Sequence, residues 1–360
     1  MSKTLIAAGC AALLVSSGFV SADDGAVDEL PAALAHQVVD RTIELVESKG
    51  LYPRRHEEYA QAKTELLAVF DGQPARIVRK DLYGRIQKLL GTLDTNGHTF
   101  IRPANPQAQV QVQGPQGQPK QRGSSLEELR PPTLKLVTTS RGTVLRWTPP
   151  AIVDGGMSAA GPYLKRFYDE AAARPDIAEA CTLVVDLSEQ TGGNAWPPFI
   201  AMYPLFGGAN KANWVDRDGK RMPFVTPSSL QETNRYLVGD RANPLARFGS
   251  GPLAVVVGSR TASAGEMLLV ALLGEARVQT FGTTSYGLST ANKTYTLADG
   301  STLVLTELRY ALGDGPVYQG GIAPMHPAEK GAPVEGAVRT AAEWAAANSP
   351  QCGAKPSPAA

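Results

Sequence analysis

Three apolar stripes at helical spacing run through the first part of the chain. They comprise Leu34, Val38, Ile43 and Val46, then Tyr59, Leu66, Leu67 and Phe70, then Leu82, Ile86, Leu89 and Leu90. Residues three or four positions apart share one face of a helix, so each stripe predicts an amphipathic helix. Pro53 and the "DGQP" stretch at 71–74 separate the stripes. The pattern predicts an N-terminal unit of three helices within residues 23–98.

The composition changes between residues 99 and 132. The stretch "NPQAQVQVQGPQGQPKQRGSS" is rich in Gln, Pro and Gly and has few apolar side chains. Such a segment cannot bury enough apolar surface to fold, so we predict a flexible linker.

From residue 133 onwards, short apolar runs alternate with helix-like stretches. "TLKLVTTSRGTVLRWT" predicts a hairpin, "AAGPYLKRFYDEAAARP" a helix, and "ACTLVVDL" and "PLAVVVG" two buried strands. "AGEMLLVALLGEA" predicts a further helix, and "STANKTYTLADGSTLVLTEL" a second hairpin. Interleaved strands and helices of this kind predict an α/β core over residues 133–345.

Two regions of the second half show no clear period. Residues 195–245 contain Trp196, Trp214 and many prolines, and we predict a cap-like insertion that covers one side of the core. Residues 346–360 are rich in Pro, Ala and Ser, which predicts a disordered tail. We therefore expect that residues 350–360 can be removed without loss of folding.

The first residues have the pattern of a secretory signal peptide. "MSKTLIAAGCAALLVSSGFVSADD" contains one lysine, an apolar run from Leu5 to Val20, and small residues up to Ala22. This predicts a signal peptide at 1–22, cleavage near Ala22, and a periplasmic or secreted protein with no stable membrane insertion after cleavage. An uncleaved anchor and lipidation at Cys10 are the weaker alternatives.

Composition and charge narrow the function classes. The chain is 43% hydrophobic and 19% charged with a formal net charge of +1, which is typical of a globular protein. Basic residues do not form a block interleaved with aromatic residues, so nucleic acid is not an expected partner. In an oxidising compartment Cys181 and Cys352 could pair, but Cys181 fits equally well as a small buried residue of its apolar strand. Neither cysteine has the spacing of a metal site, and we predict no metal or cofactor.

A serine stands where a buried strand gives way to a helix, in "GSRTASAGE" at 258–266. Its two small neighbours permit either of two interpretations. They form a compact turn that lets strand and helix pack closely, or they leave room for a substrate around a nucleophile, Ser263.

A serine nucleophile needs a base, and the chain has four histidines. His36 falls on the first predicted helix, His56 in a charged turn, and His326 in a loop. His98, in "DTNGHTF", lies where the helical unit gives way to the core and is placed to face a cleft.

A third segment, "VVDLSEQTGGN", ends a buried strand with Gly192 and Gly193. Backbone can approach a ligand closely at glycines, and two N–H groups can stabilise an oxyanion. A loop that merely needs positive φ is equally compatible with the pair.

Together these segments resemble the S41 serine peptidases, the tail-specific or C-terminal-processing family and its tricorn-core relatives. "DLSEQTGGN" resembles the family's "DLRxNxGG", "TASAGE" its "(S/T)ASxxE", "FGTTSYGLST" its "GxxTxGxx", and "QGGIAPMH" its "GIxPD". "NGHTF" matches the motif of the branch that uses histidine, and the helical N-terminal part without a PDZ domain resembles the nisin-resistance type. The resemblance implies a ClpP/crotonase-like core with Ser263 as nucleophile. It also implies oxyanion amides from Ala264 and from the Gly192–Gly193 loop.

Departures from the family pattern bear on the base. Leu288 stands where the processing proteases carry a catalytic lysine, and Lys293, five residues further, falls on the opposite face of its strand. We therefore predict His98 as the base. Ser188 and Met325 replace an arginine and an aspartate of the family, so both of those contacts are in doubt.

Two details of this site remain open from sequence. The group that orients the imidazole could be Asp94, Asn96 or a backbone carbonyl. Glu266 lies on the same helix face as Ser263, either as an auxiliary residue or as a first-turn charge that complements the helix dipole.

The first hypothesis is an exported serine endopeptidase that cleaves extended peptides or unstructured protein ends through a Ser263–His98 dyad and an acyl-enzyme. With an ordinary histidine pKa of about 6.5, kcat/KM would rise through about pH 6–7. The alternative is a non-catalytic binding protein on the same fold that holds a peptide or a small hydrophobic ligand.

Overall fold

The computed structural model describes residues 28–51, 55–93, 96–104, 131–152, 156–208, 211–224, 226–329 and 331–353. The predicted signal peptide, most of the predicted linker and the last residues of the predicted tail lie outside this part of the chain. Within it, no helix combines the length and the apolar composition needed to cross a membrane.

The N-terminal unit contains the three predicted helices. They are α1 (Ala32–Ser48), α2 (His56–Leu67) and α3 (Arg79–Gly91), accompanied by a small antiparallel pair of β1 (Glu29–Pro31) and β2 (Arg76–Val78). Most residues of the predicted stripes are buried in one apolar cluster, although Leu67 is 42% exposed. The three-helix prediction is confirmed.

The core of the molecule is a six-stranded sheet in the order β13–β10–β9–β6–β5–β4. Its strands are β4 (Thr133–Thr139), β5 (Gly142–Thr148), β6 (Thr182–Asp186), β9 (Leu253–Val257), β10 (Val278–Gly282) and β13 (His326–Pro327). All neighbours run parallel except the predicted hairpin of β4 and β5. This mainly parallel sheet confirms the α/β fold class.

Helices cover both faces of this sheet. On β9, Leu253 and Val255 belong to the apolar cluster that includes α4 (Ala160–Ala172) and α7 (Ala264–Leu273). The alternate residue Val256 belongs to the cluster of α8 (Val334–Asn348) on the other face. Burial on both faces explains the uninterrupted apolar runs of β6 and β9.

A second, antiparallel sheet is built around the long strand β12 (Thr302–Leu312). It pairs with β11 (Thr290–Thr296), β7 (Ala212–Val215) and β3 (Phe100–Arg102), and β7 pairs with β8 (Arg221–Pro223). Leu303 and Leu305 of β12 are buried in the cluster of the helical unit. The second sheet therefore joins the helical unit to the core, and the first residues of the predicted linker form one of its strands.

The predicted insertion at 195–245 contains α5 (Trp196–Ala201), β7, β8 and α6 (Pro227–Val238). Phe199 and Phe224 from this region are buried in the main apolar cluster. Its elements are short and α5 carries two prolines, which is why no period is visible in the sequence.

The prediction of a disordered tail is wrong for residues 346–353. Helix α8 continues to Asn348, and Cys352 is buried and forms a disulfide with Cys181 at the start of β6. The buried face of α8 is made mostly of alanines. Alanine is also common in the residues that follow, so the sequence shows no clear boundary between the helix and the Pro/Ala/Ser-rich end. The structure also decides between the two roles left open for the cysteines, because they are paired.

Candidate active site

Ser263 occupies a sharp turn between β9 and α7. Its φ is 52°, a left-handed conformation that a residue with a side chain adopts at a cost of about 1–3 kcal/mol. Two hydrogen bonds of Thr261 hold this turn: its hydroxyl donates to the Leu187 carbonyl at 2.8 Å and accepts the Gly258 N–H at 2.9 Å. Ser263 is partly exposed, whereas Thr261, Ala262 and Ala264 around it are buried.

Small residues let the turn and the double-glycine loop touch. A Cβ at Gly265 would lie 2.4 Å from the Gln190 carbonyl oxygen, and a Cβ at Gly192 would lie 3.0 Å from the Ser263 Cβ. The Ala262 N–H donates to the Gln190 carbonyl at 3.0 Å. Close packing and a strained, accessible serine therefore occur together, so the two interpretations of the turn do not exclude each other.

Of the residues predicted to supply oxyanion amides, Ala264 and Gly192 lie next to Ser263, and Gly193 follows Gly192 in the chain. Ala264 is the first residue of α7, where N–H groups have no partner within the helix. Gly192 and Gly193 have φ of 112° and 95°, which only glycine adopts without strain. The Gly192 N–H donates to Gln190 Oε1 at 3.2 Å, so Gln190 holds this amide in the present conformation.

Glu266 is a buried carboxylate directly behind the nucleophile. Its Oε2 accepts the Ser263 N–H at 3.0 Å, while its Oε1 accepts the Ser285 hydroxyl at 2.6 Å and the Gly287 N–H at 2.8 Å. Burial raises the pKa of Glu266 to about 7, against the opposing effect of these donors. Glu266 thus contacts the backbone of the nucleophile, which goes beyond complementing the helix dipole.

His98 is buried between the helical unit and the second sheet. Its Nδ1 lies 2.6 Å from Thr290 Oγ1, and its carbonyl accepts the Asn292 side-chain amide at 3.0 Å. Burial lowers the pKa of His98 to about 4, because the charged imidazolium is desolvated.

The backbone of one residue, Gly287, links the surroundings of the two candidate catalytic residues. The Gly287 N–H donates to Glu266, and the Gly287 carbonyl accepts the Asn96 side-chain amide at 3.1 Å. Asn96 lies two residues before His98, and Glu266 holds the backbone of Ser263. Within the described contacts no direct hydrogen bond joins Ser263 to His98, and such bonds are often long before substrate binds.

The structure answers part of what the sequence left open about His98. Its ring contacts Thr290, while Asn96 contacts Gly287, and Asp94 lies outside the described residues. Thr290, Ser285 and Gly287 were not singled out from sequence. All three fall in or just after "FGTTSYGLST", whose resemblance to a family motif was the available signal.

Among the described contacts, the Lys293 side chain approaches the Tyr295 ring. It is exposed on β11, and its Nζ is 5.4 Å from the centre of the Tyr295 ring. Leu288, which occupies the position of the processing-protease lysine, is buried. A lysine is therefore absent from the processing-protease position, and the described contacts of Lys293 do not include Ser263.

The other three histidines lie outside the candidate site in the described contacts. His36 stacks on Phe70 with ring centres 3.6 Å apart, and His326 stacks on Phe281 at 4.5 Å. His56 begins α2 and is exposed. His326 belongs to the short strand β13 rather than to a loop, because it pairs with Phe281 of β10.

The two family positions left in doubt have contacts of a different kind here. The Ser188 N–H donates to Asp186 Oδ1 at 2.9 Å, and Asp186 pairs with Arg146 of the neighbouring strand. Met325 is 53% exposed and donates its N–H to Thr280 Oγ1 at 2.8 Å.

Comparison with known proteins identifies the family. Residues 156–326 match the model of peptidase family S41, a segment that includes Ser263 and the double glycine. This segment, a little under half of the chain, has the sequence pattern of an S41 family peptidase. Among curated proteins, it is 28% identical over 124 residues to the nisin-resistance protein of Lactococcus lactis subsp. lactis. It is 37% identical over 95 residues to the chloroplastic carboxyl-terminal-processing peptidase 2 of Arabidopsis thaliana.

The sequence matches cover 34% and 26% of this chain but only 38% and 18% of those two relatives. Solved structures match over more of it. A lipoprotein from Streptococcus agalactiae aligns with a TM-score of 0.58 at 18% identity, covering 88% of this chain and 96% of that one. The photosystem II D1 C-terminal processing protease aligns at 0.54 and 14% identity, covering 86% and 97%. These alignments confirm the fold.

Proposed function

We propose that the protein is an exported serine peptidase that cleaves extended peptides or unstructured protein ends. The observation that carries the proposal is Ser263, held at positive φ at the start of α7 and packed against Gly192. Strained backbone of this kind is concentrated at functional sites, and a serine nucleophile is the residue that acyl transfer requires there. The match of residues 156–326 to peptidase family S41 supports the same reaction class.

In the proposed reaction, Ser263 Oγ attacks the peptide carbonyl while His98 Nε2 takes the hydroxyl proton. His98 then gives this proton to the leaving amine, and water hydrolyses the acyl-enzyme by the same route. The Ala264 N–H, and amides of the Gly192–Gly193 loop once Gln190 releases them, stabilise the oxyanion. Glu266 keeps the Ser263 backbone in place and does not itself react.

Export is supported by the disulfide between Cys181 and Cys352, because such bonds persist mainly in oxidising compartments. The apolar N-terminal run with its small-residue end agrees with a signal peptide cleaved near Ala22. The nisin-resistance protein and the streptococcal lipoprotein among the similar proteins are consistent with an extracytoplasmic site of action.

A fluorophosphonate probe on the purified protein tests the proposal. We expect labelling at Ser263, and Ser263→Ala should fold with an unchanged melting temperature yet neither react nor cleave an unstructured peptide. Ser289→Ala is the matched control, since Ser289 is a buried serine near the site that donates to the Gly320 carbonyl. Activity of Ser263→Ala at a tenth of wild type or more would contradict a serine peptidase.

The binding-protein alternative keeps one supporting observation, the missing direct hydrogen bond between Ser263 and His98 among the described contacts. A protein that binds peptides without cleaving them would leave the probe unreacted. Calorimetric titration with the same peptide would then give equal affinity for wild type and Ser263→Ala.

A further inference from the structure

We infer that Thr290 is a positioning residue that fixes the tautomer of His98, so that a neutral hydroxyl stands where Ser-His-Asp triads have a carboxylate. The inference rests on the proposed function only in giving His98 its role as base. The contact itself is a direct one, 2.6 Å between His98 Nδ1 and Thr290 Oγ1.

The contact leaves one ring nitrogen for proton transfer. A neutral imidazole carries its proton on one nitrogen and accepts at the other. When Nδ1–H donates to the Thr290 hydroxyl oxygen, Nε2 is unprotonated and can take the proton of Ser263. The opposite arrangement, with Thr290 donating to Nδ1, would place the proton on Nε2 and block the base.

The backbone holds the Thr290 hydroxyl at a defined place. The Thr290 N–H donates to the Leu288 carbonyl at 2.7 Å, and the Thr290 carbonyl accepts the Tyr310 hydroxyl at 2.7 Å. Thr290 and Asn292 are alternate residues of β11 and so share a face. Accordingly, both contact His98, the first at the ring and the second at the carbonyl.

The surroundings of His98 favour the neutral ring. Strands β11 and β12 and helix α7 carry six ionisable groups: Lys293 and Tyr295 on β11, Glu307, Arg309 and Tyr310 on β12, and Glu266 on α7. The Tyr295 hydroxyl donates to Glu307, so these two groups contact each other. Lys293 turns towards the Tyr295 ring, and Tyr310 is uncharged because burial raises its pKa far above the ordinary value. Glu266 reaches the His98 segment only through Gly287 and Asn96. Burial is what lowers the pKa of His98, and a hydroxyl at Nδ1 orients the ring without reversing this, as a carboxylate would.

The tautomer can be measured without any catalysis. In Ser263→Ala protein labelled with ¹⁵N-histidine, the ring nitrogen shifts of His98, assigned with His98→Ala, should report a proton on Nδ1 at pH 7. In Thr290→Val, which keeps the shape but lacks the oxygen, this preference should be lost. A wild-type proton on Nε2, or an unchanged tautomer in Thr290→Val, would overturn the inference.

Activity gives a second readout. Thr290→Val should lower kcat by roughly tenfold or more with little change in KM, and Thr290→Ser should restore it, because triad partners act through tautomer and orientation. Thr294→Val is the matched control, an exposed threonine on the same strand. Equal kcat in Thr290→Val and wild type would contradict a positioning role.

The pH profile separates orientation from packing. Thr290→Asp places a negative charge beside His98, so the acid limb of kcat/KM should move up by about one pH unit or more, whereas Thr290→Asn should leave it in place. A limb that is the same in both variants would refute the contact. Loss of probe labelling in the wild type would instead refute the peptidase, while the tautomer measurement would stand independently.

Discussion

At the scale of single residues, burial acts on two ionisable groups in opposite directions. It lowers the pKa of His98 to about 4 and raises that of Glu266 to about 7, since in each case the charged form is disfavoured. At neutral pH His98 is therefore an uncharged base, while Glu266 keeps its proton to higher pH than an ordinary carboxyl group does. The pKa of His98 should affect the pH dependence of the reaction. The pKa of Glu266 should affect the stability of the turn that holds Ser263.

The first prediction concerns the acid limb of kcat/KM. A histidine with ordinary basicity would give a limb at about pH 6–7, but burial moves the expected limb of His98 to about pH 4. Peptide cleavage measured from pH 3.5 to 8 checks this in enzyme shown to be folded at each pH. Lys293→Ala should change kcat/KM by less than roughly tenfold. A limb above pH 8 that Lys293→Ala removes would mean that a lysine is the base.

The second prediction concerns stability. The folded pKa of Glu266 is raised above its ordinary value of 4.5, so its contribution to stability is fully present below about pH 4.5 and is lost as pH rises through about 7. The difference in unfolding free energy between wild type and Glu266→Gln should therefore shift against wild type between pH 4.5 and 8. Urea unfolding at pH 5 and pH 8 measures it. A difference that is constant with pH, or that moves in favour of wild type, would contradict a raised pKa.

At the scale of elements, the sequence predicted the helices and strands that have a clear period or a long apolar run. It missed elements of only a few residues. Helices α1–α3 and strands β6 and β9 have enough residues for a period or an apolar run to stand out. Strand β3 has three residues and forms only because β12 is beside it, a distant pairing that no local pattern reveals. The site follows the same rule. Ser263, Gly192 and His98 were predicted from motifs, whereas Thr290 is linked to His98 by a contact across 192 positions of sequence.

The third prediction belongs to the double-glycine loop. Gly192→Ala adds a methyl group 3.0 Å from the Ser263 Cβ at a φ of 112°, so the loop must move away from the nucleophile. We expect kcat to fall by about 10²-fold, as for loss of one oxyanion donor. Gly219→Ala is the control, because Gly219 also has positive φ, 81°, but a Cβ there meets open space. If both variants cost the same activity, backbone strain alone would explain the loss and the oxyanion role would fail.

At the scale of the whole molecule, a single covalent link ties the end of the described chain to the central sheet. The disulfide joins residues 171 positions apart, so it holds α8 against β6, the strand that leads into the double-glycine loop. Most of the stability of such a link comes from restricting the unfolded chain, and the effect is larger for longer loops. Residues 350–360 were expected to be removable without loss of folding, but this segment contains Cys352. Whether it can be removed therefore depends on how much the disulfide contributes to stability.

The last prediction separates that cysteine from the residues beyond it. Removal of 354–360 should leave the unfolding free energy within about 0.5 kcal/mol of the full-length value, because Cys352 and its disulfide are kept. The double variant Cys181→Ser/Cys352→Ser should lose about 2–5 kcal/mol, the usual effect of removing a native disulfide. Changing both cysteines avoids a free thiol, and dithiothreitol supplies the control, since it should lower the melting temperature of the wild type but not of the double variant. If wild type and double variant unfolded at the same urea concentration without reductant, α8 would be held by its alanine-lined packing alone.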